Sequence, residues 1–401
     1  MRQLPENIVR FTCSNIPMLG NFDNGCIIGL SESGNRLCDL YEQELIDDVA
    51  FAKADSRLFE ALRSHGFLHP TIALKAPITS YIHVTHQCNL SCKGCYSKQE
   101  IPIIDPSFSS IKKMLNFLTT LEVRNLNISG GEPLLRKDIY KIVDYSKSIG
   151  IERVDVITNG TMRDDAILHE IAPIVDAIHI SLGSYDQNDQ DSIKGPGLFS
   201  EVIANIKAML DMGIDVHLLP TIHSKNINDI PQYVGLANQL GVAINFSILS
   251  CSACNRDLGD FAFDEPSLVQ LANVIIDSIK QTGRSPILIA KRSCQAGKKL
   301  FSVAVNGDIF PCHMLHSPVF KMGNAIASEW YDDSDYSTEL KALFDFDAGT
   351  NRHCHKCEYR YLCGGGCRAR AYSSGNTICD MDPYCSLLGA FFRTSMNHII
   401  T

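Results

Sequence analysis

From Ile82 to Ile289 the chain switches repeatedly between short runs rich in β-branched residues and longer amphipathic ones. Repeated βα units around a parallel sheet produce that alternation, because parallel neighbours need a long crossover between them. Strands are expected over residues 81–85, 125–129, 153–158, 177–182, 215–221 and 243–249, with helices over 111–121, 139–149, 199–212 and 230–240. Six such units predict an α/β partial barrel, a (βα)6 arrangement whose chemistry gathers beyond the carboxyl ends of the strands.

Just where the first strand ends, Cys88, Cys92 and Cys95 stand in the run Thr85-His86-Gln87-Cys88-Asn89-Leu90-Ser91-Cys92-Lys93-Gly94-Cys95-Tyr96. Three thiolates so spaced hold an iron–sulfur cube by three corners and leave one iron for an exchangeable ligand, whereas structural zinc takes four protein ligands. The chain has 16 cysteines and neither a charged-then-apolar leader nor an apolar run of membrane-span length. A cytoplasmic chain whose clustered cysteines ligate metal fits this pattern better than a secreted disulfide framework. A net charge of −9 with no Lys or Arg run argues against nucleic acid as a partner.

The cysteine loop resembles that of the radical S-adenosylmethionine (SAM) enzymes, and further parts follow at successive strand ends. Gly130-Gly131-Glu132-Pro133 looks like the family's GGEP motif, Thr158-Asn159-Gly160 follows the third strand, and Ser181 closes the fourth. The resemblance implies a [4Fe-4S] cluster on Cys88, Cys92 and Cys95, whose open iron binds SAM. It also implies SAM contacts from Gly130, Gly131, Glu132, Pro133, Asn159, Ser181 and Lys194. Gly94 stands where relatives carry an aromatic residue against the adenine. Lys194 stands where they often carry Arg, keeping the charge without the bidentate fork.

Past residue 290 cysteines return as Cys294, Cys312, Cys354, Cys357, Cys363, Cys367, Cys379 and Cys385. Residues 303–312 read as a hairpin around Asn306-Gly307 that delivers Cys312. This field resembles the SPASM domain, which binds auxiliary iron–sulfur clusters. The resemblance implies two of them, one on Cys354, Cys357, Cys363 and Cys385, the other on Cys294, Cys312 and Cys367. Leu300 takes the place of a further cysteine, so the second set is three-coordinate. A structural zinc is the bland alternative for this field. Cys251 and Cys254 are structural thiols, a missing ligand or substrate-handling groups. Cys13, Cys26, Cys38 and Cys379 are expected as small buried hydrophobes.

Ahead of the barrel lie two β-like runs, 8–13 and 26–30, and two amphipathic helices, the first capped by Ser31 or Ser33. The arrangement resembles the winged-helix, PqqD-like element with which peptide-maturing enzymes grip a leader by β-augmentation. A DNA-binding winged helix is disfavoured by seven Lys or Arg against ten Asp or Glu in residues 1–75, and a plain packing extension is the third possibility.

The expected organisation is therefore a recognition element over 1–75, a radical SAM barrel over 76–290 and a SPASM domain over 291–401. The implied function is a maturase that forms thioether crosslinks in a cysteine-containing precursor peptide with a leader. A flavodoxin- or ferredoxin-type protein would supply electrons, and neither nucleic acid nor membrane takes part. Carbon–carbon or carbon–oxygen crosslinking and formylglycine formation are the rivals. A non-catalytic iron–sulfur or zinc carrier is the alternative from another class.

Overall fold

In the computed structural model the described residues are 5–68, 78–95, 97, 104–187, 193–195, 197–250, 259–281, 287–375 and 377–400. Tyr96, Cys251, Cys254 and the expected boundary at 75/76 fall outside them.

The strands are β1 (Ile8–Cys13), β2 (Ile16–Asn21), β3 (Ile27–Gly29), β4 (Ile78–His83), β5 (Val123–Ser129), β6 (Arg153–Thr158), β7 (Ala177–Leu182) and β8 (Val216–Ile222). After them come β9 (Ala243–Ile244), β10 (Ser247–Ile248), β11 (Leu300–Val303), β12 (Asp308–Phe310), β13 (Gly323–Asn324) and β14 (Glu329–Trp330). The large sheet runs β10-β8-β7-β6-β5-β4-β11-β12-β13-β14, with β9 also on β8. From β4 to β10 every pairing is parallel. The expected sixth strand is thus two short pieces, both laid along β8 and broken at Asn245-Phe246.

Alternate residues of a strand face opposite ways, and here the two faces differ in chemistry. Ile82, Leu126, Ile128, Val154, Val156, Ile178, Ile180 and Leu218 pack into the main core with apolar residues of Phe108–Thr120, Ile139–Ser148, Phe199–Asp211 and Ile230–Leu240. The opposite register carries Tyr81, His83, Asn127, Ser129, Asp155, His179, Ser181 and His217. A sheet covered on both faces by core would be apolar throughout, so this second, polar face is the one available to a site. Ser107 caps the helix Phe108–Thr120, accepting from Ser110 N at 3.1 Å, and Gly241 ends Ile230–Leu240 in the left-handed conformation, φ 69°.

The edge of this sheet is extended by the C-terminal part of the chain. β11 runs parallel to β4, from Leu300 opposite Thr79 to Val303 opposite Ile82, and turns through Asn306-Gly307 into antiparallel β12. Gly307 has φ 86°, which glycine tolerates. Leu300 is the first residue of β11, half-buried. Beyond the hairpins come helices Thr338–Asp345, Arg360–Cys363, Arg368–Gly375 and Cys385–Ile400, the last packed on Glu265–Gln281.

At the front, β1-β2-β3 form an antiparallel sheet followed by three helices, Glu32–Glu42, Asp48–Ala54 and Ser56–Ser64. β2 escapes the sequence reading because Pro17 and Gly20 interrupt its pattern, and one further helix arises where Asp47 and Asp55 each start a new one by capping. Ser31 caps the first helix through Gly34 N. Of the cysteines expected in cores, Cys13 and Cys38 are buried, whereas Cys26 and Cys379 are half-buried. No helix among the described residues is long and apolar enough to cross a membrane.

The front element does not stand apart. Phe11, Cys13 and Met18 share a core with Tyr359, Leu362, Phe392 and Met396, against which Cys357 and Cys363 pack. The Phe11 ring meets Tyr361 edge-on at 5.5 Å, and Ser14 N donates to Glu358 at 2.7 Å. Removing a buried aromatic costs about 3 kcal/mol or more through lost transfer energy and the cavity left behind. Phe11→Ala is expected to lower the unfolding free energy by about that amount in a denaturant titration, with the m-value unchanged.

Candidate active site

The carboxyl ends of β4 to β7 converge on one side of the sheet, and main-chain contacts lock them together. Gly131 N donates to Thr85 O at 2.8 Å and Glu132 N to Gln87 O at 2.8 Å. The two loops approach this closely because glycines stand between them. A Cβ on Gly130 would lie 2.4 Å from Thr85 O, and one on Gly131 would lie 2.2 Å from Gln87 O. Thr85 and the main chain of His86 are in turn held by the Asp105 carboxylate, at 2.6 and 3.0 Å. Asp105 carried no sequence signal beyond preceding a helix start.

Glu132 is fully buried, and its carboxylate accepts from Leu134 N at 3.0 Å, Thr158 Oγ1 at 2.7 Å and Asn159 N at 2.8 Å. Burial pushes its pKa up, opposed by those bonds and by Lys194. The side chain thus ties the end of β5 to the end of β6. Pro133 lies buried at the start of the short turn that Glu132 caps. Asn159 accepts from Thr161 and donates to Asn89 Oδ1 at 2.9 Å, with its Nδ2 4.0 Å from Cys88 Sγ. Leu90 N lies 3.4 Å from the same sulfur. Lys93 N donates to Ile193 O at 3.1 Å, and Lys194 Nζ donates to Ser181 O. So Cys88, Cys92 and Cys95 occupy one loop whose neighbours are Gly130, Gly131, Glu132, Asn159, Ser181 and Lys194. Cys88 is exposed and the other two thiols are half-buried. Soft thiols without a carboxylate in the loop, backed by a buried hydrogen-bond network, suit an iron–sulfur cluster.

The remaining thiols fall into two groups. Cys312 is buried in the main core, with Cys294 and Cys367 packed against it. Burial raises its pKa, and the charges of Cys367 and Cys294 add to the shift. The other group gathers round Cys363, whose thiol is pushed up to about 12 by burial and by Asp382, Cys385, Cys354 and Cys357. Among the described residues no three His, Cys, Asp or Glu side chains take up the coordination geometry of a single metal ion.

Cys363 and Cys367 are four residues apart yet belong to different groups. Between them Gly364, Gly365 and Gly366 have φ 65°, 82° and 75°, a run of left-handed residues that only glycine adopts without strain. A Cβ on Gly365 would meet the Phe346 ring at 2.5 Å, and one on Gly366 would meet the Asp382 carboxylate at 2.3 Å.

Imidazoles occupy the seam between β4 and the hairpin, a feature that isolated histidines in the sequence did not announce. His83 lies 4.8 Å from His316, ring centre to ring centre, and Tyr81 lies 4.5 Å from His313. His316 stacks on Phe310 at 4.6 Å and its Nε2 is 2.8 Å from Ser302 Oγ. Burial, then His313 and His86, lower the pKa of His316 to about 3, with Asp308 opposing. Burial likewise holds His83 well below the ordinary value. Below pH 6.5 these rings stay neutral in the native protein where the unfolded chain would charge them.

Residues 82–237 match the Radical SAM superfamily profile. The chain is 25% identical to the AdoMet-dependent heme synthase of Methanosarcina barkeri over 334 residues, which is 75% of this chain and 94% of that protein. It is also 25% identical to the mycofactocin maturase MftC of Mycobacterium tuberculosis over 335 residues, 78% of this chain and 83% of the relative. Among solved structures it is similar to Streptococcus suis SuiB bound to the precursor peptide SuiA, with TM-score 0.62 and 16% identity over 95% of this chain and 99% of that one. The chain is thus an enzyme with a radical SAM domain.

A group whose folded pKa is depressed loses native stability as pH falls from its unfolded value. For His316 that window opens at 6.5 and closes near 3, at about 1.4 kcal/mol per pH unit. Thermal unfolding followed from pH 7 to pH 5 should show a steady fall in Tm, and His316→Gln should flatten it.

Proposed function

We propose that this enzyme is a maturase that closes thioether crosslinks in a ribosomally made precursor peptide. The observation that carries the reading is the parallel pairing of β11 with β4. It sets the hairpin that delivers Cys312 against the strand that leads into Cys88, Cys92 and Cys95, with Cys312 level with the amino end of β4 and the three cysteines beyond its carboxyl end, so that one stretch of sheet links the two thiol fields.

In this reading Cys88, Cys92 and Cys95 hold a [4Fe-4S] cluster, and SAM lies against Gly130, Gly131, Asn159, Ser181 and Lys194. When bound, these cofactors supply a 5′-deoxyadenosyl radical. Glu132 keeps the β5 and β6 ends in register beneath the cofactors, and Pro133 stiffens the turn it caps. The rest of the barrel shields the radical from water. The seven thiols downstream form a SPASM domain with two auxiliary clusters, the outer on Cys354, Cys357, Cys363 and Cys385, the inner on Cys294, Cys312 and Cys367. Three protein ligands at the inner site leave room for the peptide thiol. With these groups bound, crosslinking would remove one hydrogen atom from the acceptor carbon, one proton from the thiol and one electron; the adenosyl group would take the hydrogen and an auxiliary site the electron. A flavodoxin- or ferredoxin-type protein resets the system.

A peptide substrate is favoured by the likeness to SuiB across 95% of the chain, in a structure that holds a precursor peptide. The front element then serves as a leader grip. β3 lies at an edge of its sheet. Leu30 N bonds to Pro17 O and Asn21 N to Cys26 O; this register turns Ile28 towards β2 and the main-chain groups of Ile27 and Gly29 outward. An extended leader can add there.

Two experiments test the proposal. Reduced enzyme with SAM is expected to release 5′-deoxyadenosine and, with its precursor, to give a product two hydrogens lighter with one fewer alkylatable thiol. Cys92→Ala should abolish both, and an active variant would sink the reading. A product that keeps its thiols would instead indicate carbon–carbon or carbon–oxygen bonds. Ile27→Pro removes an outward donor while sparing the β2 ladder. It is expected to weaken precursor binding about tenfold, equivalent to about 1.4 kcal/mol, with slow SAM cleavage intact.

A further inference from the structure

The outer thiol group is closed on one side and open on the other. Cys357 and Cys363 pack against the core that Phe11, Cys13 and Met18 of the front sheet share with Tyr359 and Leu362, so the front element already covers that side. Cys385, at the start of the last helix, is exposed. Just before it in the chain Met381, a large apolar side chain, is 54% exposed. Two hydrogen bonds lash this stretch to the turn that carries Cys354 and Cys357. Asn351 Nδ2 donates to Cys379 O at 2.9 Å, and Arg352 Nη2 donates to Asp380 Oδ1 at 2.9 Å. Residues 351–357 and 379–385 therefore form one face around Met381 and Cys385.

The charge of that face runs against the charge of the chain. The chain carries −9, whereas the turn presents Arg352, Lys356 and Arg360. The Arg352 side chain is 72% exposed and that of its partner Asp380 only 20%, so an incoming molecule meets the guanidinium first. Lys356 is exposed, and Arg360 sets its guanidinium on Cys357 O at 2.8 Å. Glu358, the acid among them, accepts from Ser14 N at 2.7 Å and is thereby turned towards the front element. An apolar centre with a charged rim is the make-up of a protein-binding surface. A basic patch on an otherwise acidic molecule draws an acidic partner to that patch and repels it elsewhere.

We infer that the face around Met381 and Cys385 is the docking surface for an acidic one-electron carrier protein, which takes electrons from the enzyme at the outer site. The inference rests on the auxiliary-cluster reading. With the outer site loaded, the site would be oxidised by one electron and the carrier reduced by one, and no bond or proton moves. The inner site has no such access, since Cys312 is buried. Docking on this face seats the carrier directly against Cys385, with Lys356 and Arg352 at the rim to hold its carboxylates.

The test is stopped-flow mixing of anaerobically reconstituted, prereduced full-length enzyme with an oxidised flavodoxin of acidic surface, followed by the flavin semiquinone, with an uncharged quinone as the small-molecule control. The wild-type rate should fall steeply as salt is added. Lys356→Glu should slow transfer to the flavodoxin about tenfold at low salt and flatten the salt dependence. Lys356→Gln should fall between, Met381→Asp should also slow transfer, and Lys207→Glu, on the helix Phe199–Asp211, should match wild type. The quinone should oxidise all of them equally fast. An unchanged flavodoxin rate in Lys356→Glu, equal slowing by Lys207→Glu, or slowing with the quinone as well overturns the inference. So does an unchanged rate in Cys385→Ala, because the carrier would then dock at the first site. If Lys356→Glu fails to hold outer-site iron, slowed transfer in fully loaded Lys356→Gln and Met381→Asp supports the docking surface, and wild-type rates in both overturn it. Wild-type enzyme with no iron and sulfide beyond the first site removes the auxiliary-cluster reading itself.

Discussion

Everything distinctive about this chain depends on β11 lying parallel to β4. An open parallel sheet exposes the main chain of its first strand, a liability that proteins cover with a further strand or a helix. Here the covering strand comes from more than 200 residues downstream and brings a cysteine hairpin with it. One set of backbone hydrogen bonds thus caps the sheet edge, seats the imidazoles of His83 and His316 together, and fixes the distance between the two thiol fields. A helix in that place would cap the edge without aligning the fields.

The sequence revealed the parts of the fold that obey a local rule. Parallel strands separated by amphipathic helices were readable from periodicity, and Asn306-Gly307 announced its hairpin because the turn geometry demands those residues. The breaks came where tertiary context overrides local pattern. β2 was hidden by Pro17 and Gly20, which are tolerated in a short antiparallel sheet whose Met18 packs with Tyr359, Leu362 and Phe392. The sixth strand reads as continuous but lies along β8 as two short pieces with Asn245-Phe246 between them.

At the site, spacing conveyed the cysteines, but the grouping of the downstream seven into three and four departs from chain order, since Cys367 falls between Cys363 and Cys385 yet joins Cys294 and Cys312. What spacing could not convey was the second layer. Asp105, Asp382, Arg368 and Arg370 act through hydrogen bonds to partners 10 to 20 residues away that no motif records. Glu132 shows the opposite case. Its motif marks it as a ligand contact, yet its carboxylate is spent inside the protein on Leu134, Thr158 and Asn159. A motif residue can therefore matter for the shape of a pocket rather than for touching its contents.

The three consecutive left-handed glycines between Cys363 and Cys367 have a genetic consequence. Every amino acid reachable from a glycine codon by a single base change carries a Cβ, and at Gly365 and Gly366 that atom would strike Phe346 or Asp382. A point mutation there disturbs the turn that separates the two thiol groups, and so damages both at once. Variation in this protein should accordingly be sparse in a stretch that, by composition alone, looks like the most dispensable loop in the chain.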